Sequence, residues 1–168
     1  MYEIIKKNKF FTVFIVVICL VSCDAKQVFD QYKSIPNSAW KKNQTITFDF
    51  FIKDTISPRN LFFNIRNNND YPFSNLFVIS KMIFPDKQQI IDTLEYDMAD
   101  ASGKFLGSGF SEIKENKLLY KENIVFPKKG NYSLEIKQAM RKGNSVEGVD
   151  ALKGITEVGF RIEKINTK

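Results

Sequence analysis

From Thr45 to Ile52 the chain alternates strictly, with Ile46, Phe48, Phe50 and Ile52 on one side and Thr45, Thr47 and Asp49 on the other. A period of two sends successive side chains to opposite faces of an extended strand, whereas a helix needs 3.6. The same beat returns in Leu61–Arg66 (Leu61, Phe63, Ile65 inward), Ile90–Met98 (Leu94, Tyr96, Met98) and Tyr132–Met140 (Tyr132, Leu134, Ile136, Gln138, Met140). It closes in Glu157–Glu163, through Val158, Phe160 and Ile162. Leu76–Phe84 is nearly all apolar, as expected of a central strand covered on both faces, and Leu118–Phe126 holds a further strand ended by Pro127.

Turn formers separate these runs. Asp54–Asn60 contains Pro58, Pro85-Asp86-Lys87 reverses the chain, and Arg66–Pro72 is rich in asparagine, which tolerates left-handed backbone and bonds its own main chain. Asp100–Gly109 and Gly143–Gly154 are glycine-punctuated loops, the second with a helical turn expected near Val149–Leu152. About eight short strands without a long amphipathic helix predict an all-β fold, a single β-sandwich of jelly-roll-like order. Thirteen of the sixteen phenylalanines lie beyond residue 22, and aromatics suit a sheet-on-sheet core.

The N-terminus reads differently. Lys6, Lys7 and Lys9 precede an uncharged run from Phe10 to Val21, too short for the ~20 residues of a membrane-spanning helix but suited to a secretory signal. It ends in Leu20-Val21-Ser22-Cys23, a lipobox pattern that predicts cleavage after Ser22 and diacylation of Cys23. Two or more acyl chains hold a protein stably on a bilayer. The expected organisation is a lipoprotein signal peptide at 1–22, a lipidated segment at 23–43 lying on the domain with Trp40 buried, and the sandwich at 44–168. The segment 24–43 carries too many apolar and aromatic residues for a free tether.

Composition then excludes chemistries. Cleavage removes three lysines and Glu3, lowering the net charge from +6 to +4, and the remaining charges are mixed in sign, as in Glu112, Glu115 and Glu122 among Lys114, Lys117 and Lys121. That is a solvated face rather than a nucleic-acid site. Both cysteines, Cys19 and Cys23, fall outside the folded part, and there is no histidine. Serine–histidine catalysis and histidine-zinc sites are thereby ruled out. Asp92, Glu95 and Asp97 alternate in facing, so no carboxylate pair at the ~5–9.5 Å of a glycosidase is selected. Asp70 is a single carboxylate among amides, thin for a calcium ion that takes 6–8 oxygens. No catalytic residue, metal or cofactor is expected, and the reading is non-enzymatic.

Two stretches keep open alternatives. Arg66–Pro72 either satisfies its own backbone or presents Arg66, Asn68, Asp70 and Tyr71, with Phe105 from the glycine-rich loop, to a partner or a glycan; Tyr71, Phe105 and Tyr120 are the candidate stacking platforms. Arg141 and Lys142 at a strand end suit solubility or an acidic partner. Gly130-Asn131-Tyr132 heads a strand as in the tyrosine corner of sandwich folds, unless Tyr132 is a plain strand aromatic.

Taken in order, the lipobox with Val28-Phe29-Asp30-Gln31-Tyr32, Arg66-Asn67-Asn68-Asn69-Asp70-Tyr71-Pro72-Phe73-Ser74-Asn75-Leu76 and Asp92-Thr93-Leu94-Glu95-Tyr96 resemble the gliding-motility lipoprotein GldH family of Bacteroidetes. Gly103-Lys104-Phe105-Leu106-Gly107, Lys114-Glu115-Asn116-Lys117-Leu118, Gln138-Ala139-Met140-Arg141 and Gly154-Ile155-Thr156-Glu157-Val158-Gly159-Phe160-Arg161 extend the likeness over essentially the whole chain. The resemblance implies a lipid-anchored accessory of the cell-envelope gliding and type IX secretion apparatus. It would sit on a membrane through Cys23, inner or outer left open, and contact other envelope proteins. No catalytic residues come with it. The alternative is an envelope lipoprotein that binds glycan or peptidoglycan.

Overall fold

The computed structural model describes residues 24–109, 112–143 and 147–165; the expected signal peptide and Cys23 lie outside them. The strands are β1 (Gln27–Ser34), β2 (Ala39–Lys41), β3 (Ile46–Ile52), β4 (Arg59–Asn67), β5 (Asn75–Ile83), β6 (Gln89–Asp97), β7 (Lys114–Ile124), β8 (Gly130–Gln138), β9 (Ala151–Lys153) and β10 (Ile155–Lys164). They pair from the outside in, all antiparallel: β1 with β10, β2 with β9, β3 with β8, β4 with β7, and β5 with β6. One long nested hairpin has rolled over on itself. Two further ladders, β10 with β4 and β8 with β5, complete four-stranded sheets of order β1-β10-β4-β7 and β3-β8-β5-β6. That is a jelly-roll sandwich, the topology expected from the sequence.

The apolar faces of the two sheets interdigitate around Phe160, which is fully buried on β10. Its ring lies 5.4 Å from Phe50, 5.8 Å from Phe29, 6.1 Å from Phe48 and 6.4 Å from Phe63, all tilted, as ring quadrupoles prefer. β1, β3 and β4 thus meet β10 through one aromatic cluster. On the β6/β7 flank polar groups bridge the sheets: Tyr120 Oη donates to Asp92 at 2.8 Å and Tyr96 Oη to the Leu119 carbonyl at 2.9 Å.

The tyrosine corner is present. Tyr132 is buried, its Oη donates to the Lys128 carbonyl at 2.8 Å and accepts from the Lys128 amide at 3.3 Å. The loop before β8 is thereby pinned across the sandwich end, where Phe126 packs edge-on against both Tyr132 and Phe50.

The structure departs from the sequence reading at several elements. The stretch ahead of Thr45, without visible period, contributes β1 and β2, and β1 is an edge strand of the first sheet. Its register sends Gln31 and Lys33 to the same side as Phe29, because at an edge the long stem of Lys33 can lie along Phe48 with its charge in water. Trp40 on β2 is fully buried and donates from Nε1 to the Gln44 carbonyl at 3.0 Å. No helical turn forms at Val149–Leu152; Ala151–Lys153 is β9, and Trp40 pairs with Leu152, also fully buried. β5 is covered on one face only, since Leu76, Val78, Ser80 and Met82 are buried while Ile79 stays exposed. β7 starts at Lys114 rather than Leu118, its first turn carrying charge on the outer face.

Truncating the ring at the centre should be the most costly change. Phe160→Ala is expected to lose about 3–5 kcal/mol of stability, and Tyr132→Phe about 1 kcal/mol through the corner hydrogen bond. Urea denaturation followed by Trp40 fluorescence measures both.

Candidate functional site

The residues first suspected of binding do not converge. Asn68 and Asp70 close a turn on themselves: Asn68 Nδ2 donates to Asp70 Oδ2 at 3.1 Å, and the Asp70 amide to Asn68 Oδ1 at 3.0 Å. The Asn68 amide bonds the Gly154 carbonyl, and Gly154 (φ +84) lies so close that a Cβ there would fall 2.2 Å from the Tyr71 nitrogen. Only glycine fits. Fully buried Asn67 receives 2.8 Å from Asn116 Nδ2, which also reaches the Ile65 carbonyl. The asparagine row therefore satisfies backbone and itself.

Tyr71 is buried, with its Oη donating to the Asn75 carbonyl at 2.6 Å and its ring against Phe73 and Phe105. Tyr120 is also buried and stacks on Phe63 at 4.5 Å. These rings serve as core, and as stacking platforms for a sugar they have no free face. Asp92 points between the sheets while Glu95 and Asp97 point outward. Among the described residues no group of three or more His, Cys, Asp or Glu is placed to hold a metal ion.

Arg66 leaves this group altogether. It projects from the outer face of the first sheet, where β1, β10, β4 and β7 align Ser34, Glu157, Arg66 and Glu115 in one row. Its Nε reaches Glu115 at 2.8 Å and its Nη1 Glu157 at 2.6 Å, and its guanidinium stacks on Tyr32 at 4.4 Å. Tyr32 comes from two strands away. It crosses over Gly159, where a Cβ would meet its ring at 2.8 Å, and donates to Glu115 at 2.8 Å. A second set centres on Arg161, which binds Glu163 and Asp30, both at 2.5 Å, and also Asp24. Lys117 joins it through Glu163 at 2.7 Å, lying over the Phe62 ring at 4.2 Å. The sequence hides this mat because its members are paired by cross-strand register, which single-strand periodicity does not encode.

The mat titrates at its carboxylates. Burial pushes Glu115 and Glu163 upward, but hydrogen bonds from Arg66 and Tyr32 to the first, and from Lys117 and Arg161 to the second, outweigh it and hold both below the ordinary glutamate value. Burial and Glu115 together raise the Tyr32 hydroxyl, so it stays a donor at neutral pH.

The second sheet turns out a different surface. Asn75, Phe77 and Ile79 on β5, Thr93 on β6 and Ala139–Arg141 beyond β8 line a shallow cavity of about 410 Å³ of mixed polar and apolar character. Ile91, on the neighbouring edge strand β6, is 63% exposed beside it. β6 pairs with β5 only, among the described strands.

Folded-state pKa values lowered by pairing give stability that is present above the unfolded carboxylate value and lost as pH falls through the depressed one. With no histidine to titrate, stability is expected to stay flat from about pH 6 to 8 and to decline on acidification below about pH 4.5. A Glu115→Gln, Glu163→Gln double variant should be less stable at pH 7 and show a shallower acid limb. Urea midpoints measured across pH test it.

Comparison with known proteins places the chain. The family described as GldH lipoprotein matches residues 27–162. A protein of Flavobacterium johnsoniae named gliding motility lipoprotein GldH is 52% identical over 147 residues, 88% of this chain and 91% of its own length. A gliding motility lipoprotein GldH homolog of Christiangramia forsetii is 49% identical over 157 residues, 92% of this chain and 96% of its own. Among solved structures, a carbohydrate-binding module specific for non-crystalline cellulose overlaps at a TM-score of 0.44 and 6% identity, covering 82% of this chain and 73% of the module. The chain belongs to the GldH lipoprotein family.

Proposed function

We propose that this protein is a lipid-anchored, non-enzymatic component of the gliding-motility and type IX secretion apparatus, acting by holding a protein-binding surface at a membrane of the cell envelope. The anchor is the acylated Cys23. The observation that carries this reading is the fixing of Asp24, the very next residue. Its carboxylate binds Arg161 and the Lys26 amide, and its carbonyl accepts from the Gln27 amide. A lipid on Cys23 would therefore have almost no tether, and the position of the sandwich would be set by the anchor.

The surface best suited to a partner is the outer face of the second sheet. Its shallow cavity, the exposed Ile79 and Ile91, and the free edge of β6 offer both side-chain burial and strand addition. The first sheet offers less, because the cations of its mat are already engaged with carboxylates. A glycan-binding reading loses two of its three rings, since Tyr71 and Tyr120 are buried, and the third, Phe105, is half-buried against Tyr71.

In a gliding host, Cys23→Ala is expected to abolish colony spreading as a deletion does; full spreading by an unacylated form would refute the anchor. Ile79→Glu with Ile91→Glu should leave the unfolding free energy within about 0.5 kcal/mol, as for surface positions, yet eliminate the envelope proteins crosslinked to the native lipoprotein. Unchanged crosslinks would exclude this face.

A further inference from the structure

Antiparallel pairing sorts the loops between the two ends of the sandwich. The end where Asp24 enters also holds the loops at 53–58, 84–88 and 125–129 and the close of β10. Lys164 bonds the Lys26 carbonyl and pairs with Arg59, Arg59 pairs with Ile124, and Ile52 pairs with Gly130. The loops touch one another there: Lys128 bonds Asp86, and the site of a Gly130 Cβ lies 2.9 Å from Pro85.

Charge is distributed unequally between the ends. The entry end carries exposed Lys26, Lys53, Lys87, Lys128, Lys129 and Lys164, besides Arg59. Its acids are Asp24, Asp54, Asp86 and Glu163, with Glu122 a little way up β7, and the first four are already bonded, Asp24 and Glu163 to Arg161, Asp54 to Arg59 and Asp86 to Lys128. Among the described residues no ion pair engages Lys26, Lys53, Lys87, Lys129 or Lys164. At the far end seven cations face six acids. Apolar side chains stand among the entry-end lysines: Ile56, 84% exposed at the tip of its loop, and Val125, 46% exposed.

From this we infer that the entry end is a lipid-docking face: the lysines seat on anionic headgroups, and Ile56 and Val125 enter the interface between them. The occupant follows from where the chain leads, since Asp24 is fixed at this end, beside the start of edge strand β1, and is one residue from the cysteine that carries the acyl chains. The inference rests on the anchor reading given above. Anionic surfaces attract basic side chains within about a Debye length, and interfacial apolar groups add to the attraction.

The mature chain has no other cysteine, so the acylated protein can be labelled at Ile56→Cys, or at Lys104→Cys on the far end, and placed in vesicles containing a headgroup quencher. In vesicles with phosphatidylglycerol the label at 56 should be quenched and the label at 104 should not. In pure phosphatidylcholine, in high salt, or with Lys26, Lys53, Lys87 and Lys129 all changed to Gln, quenching at 56 should fall, each lost charge lowering the docked-to-free ratio about fivefold. An unchanged thermal melt confirms that the Gln variant is folded. Equal quenching at both ends, quenching at 104 alone, or no dependence on phosphatidylglycerol overturns the docking face. Mass spectrometry of the mature N-terminus is read separately. An unmodified Cys23 would sink the anchor reading alone, and docking is then read from salt-sensitive co-sedimentation of that same protein with the two vesicle types, whose absence overturns it.

Discussion

The last strand is the one on which the sandwich depends. β10 lies between β1 and β4, its outer groups complete two ladders, and its Phe160 supplies the ring around which β1, β3 and β4 pack. No sheet of four exists on that side until residues near the C-terminus meet residues near the N-terminus. The nested pairing extends this requirement to every ladder except the β5–β6 hairpin. Contacts so distant in sequence must close large loops before they gain anything, which makes folding of such a chain slow compared with that of a helical bundle. Among the nested pairs, β5–β6 closes the shortest loop.

β10 also decides what its sheet shows to solvent. Its outward positions are Glu157, Gly159, Arg161 and Glu163, flanked by cations and carboxylates on β1, β4 and β7. Gly159 leaves the gap through which Tyr32 crosses to Glu115, so one missing side chain joins strands that are not neighbours. Partly exposed ion pairs contribute little to stability one at a time, but a connected mat with stacked Arg66 and Lys117 holds its members in fixed geometry. It leaves those cations engaged and the first sheet closed. The second sheet, lacking such a row, keeps apolar side chains at its surface, and the proposed docking face rests on that difference.

Much of this was legible in the residues. Period two gave five of the strands, β3, β4, β6, β8 and β10, with their buried faces, and Gly130-Asn131-Tyr132 announced a corner whose hydrogen bonds are present. The failures have physical causes. β1 escaped because an edge strand can carry Gln31 and Lys33 on its inner side, where a central strand could not. β9 escaped because three residues are too few for any period, and only the partner Trp40 gives Leu152 its burial. Arg66 through Tyr71 looked like one polar site, yet turn geometry, core packing and the outer face of a sheet divide it three ways. Functional groupings here are made by register between strands, and register is not written in any single stretch.

The geometry also gives the proposed mechanism a length. β5 runs from the far end to the entry end, so Phe77 sits in its far half and Ile79 at its middle, while Ile83 approaches the lysine-rich loops. Nine residues of strand rise roughly 30 Å, comparable to the hydrocarbon thickness of a bilayer. With the entry end against lipid, the cavity beside Ile79 would stand some distance above the headgroups and face sideways, along the membrane rather than away from it. Orientation would then be part of the binding site. A flexible tether would let that face point in every direction, whereas Asp24 tied to Arg161 restricts it to a few. The ion pair nearest the anchor would thus act on a partner bound to the opposite sheet without touching it.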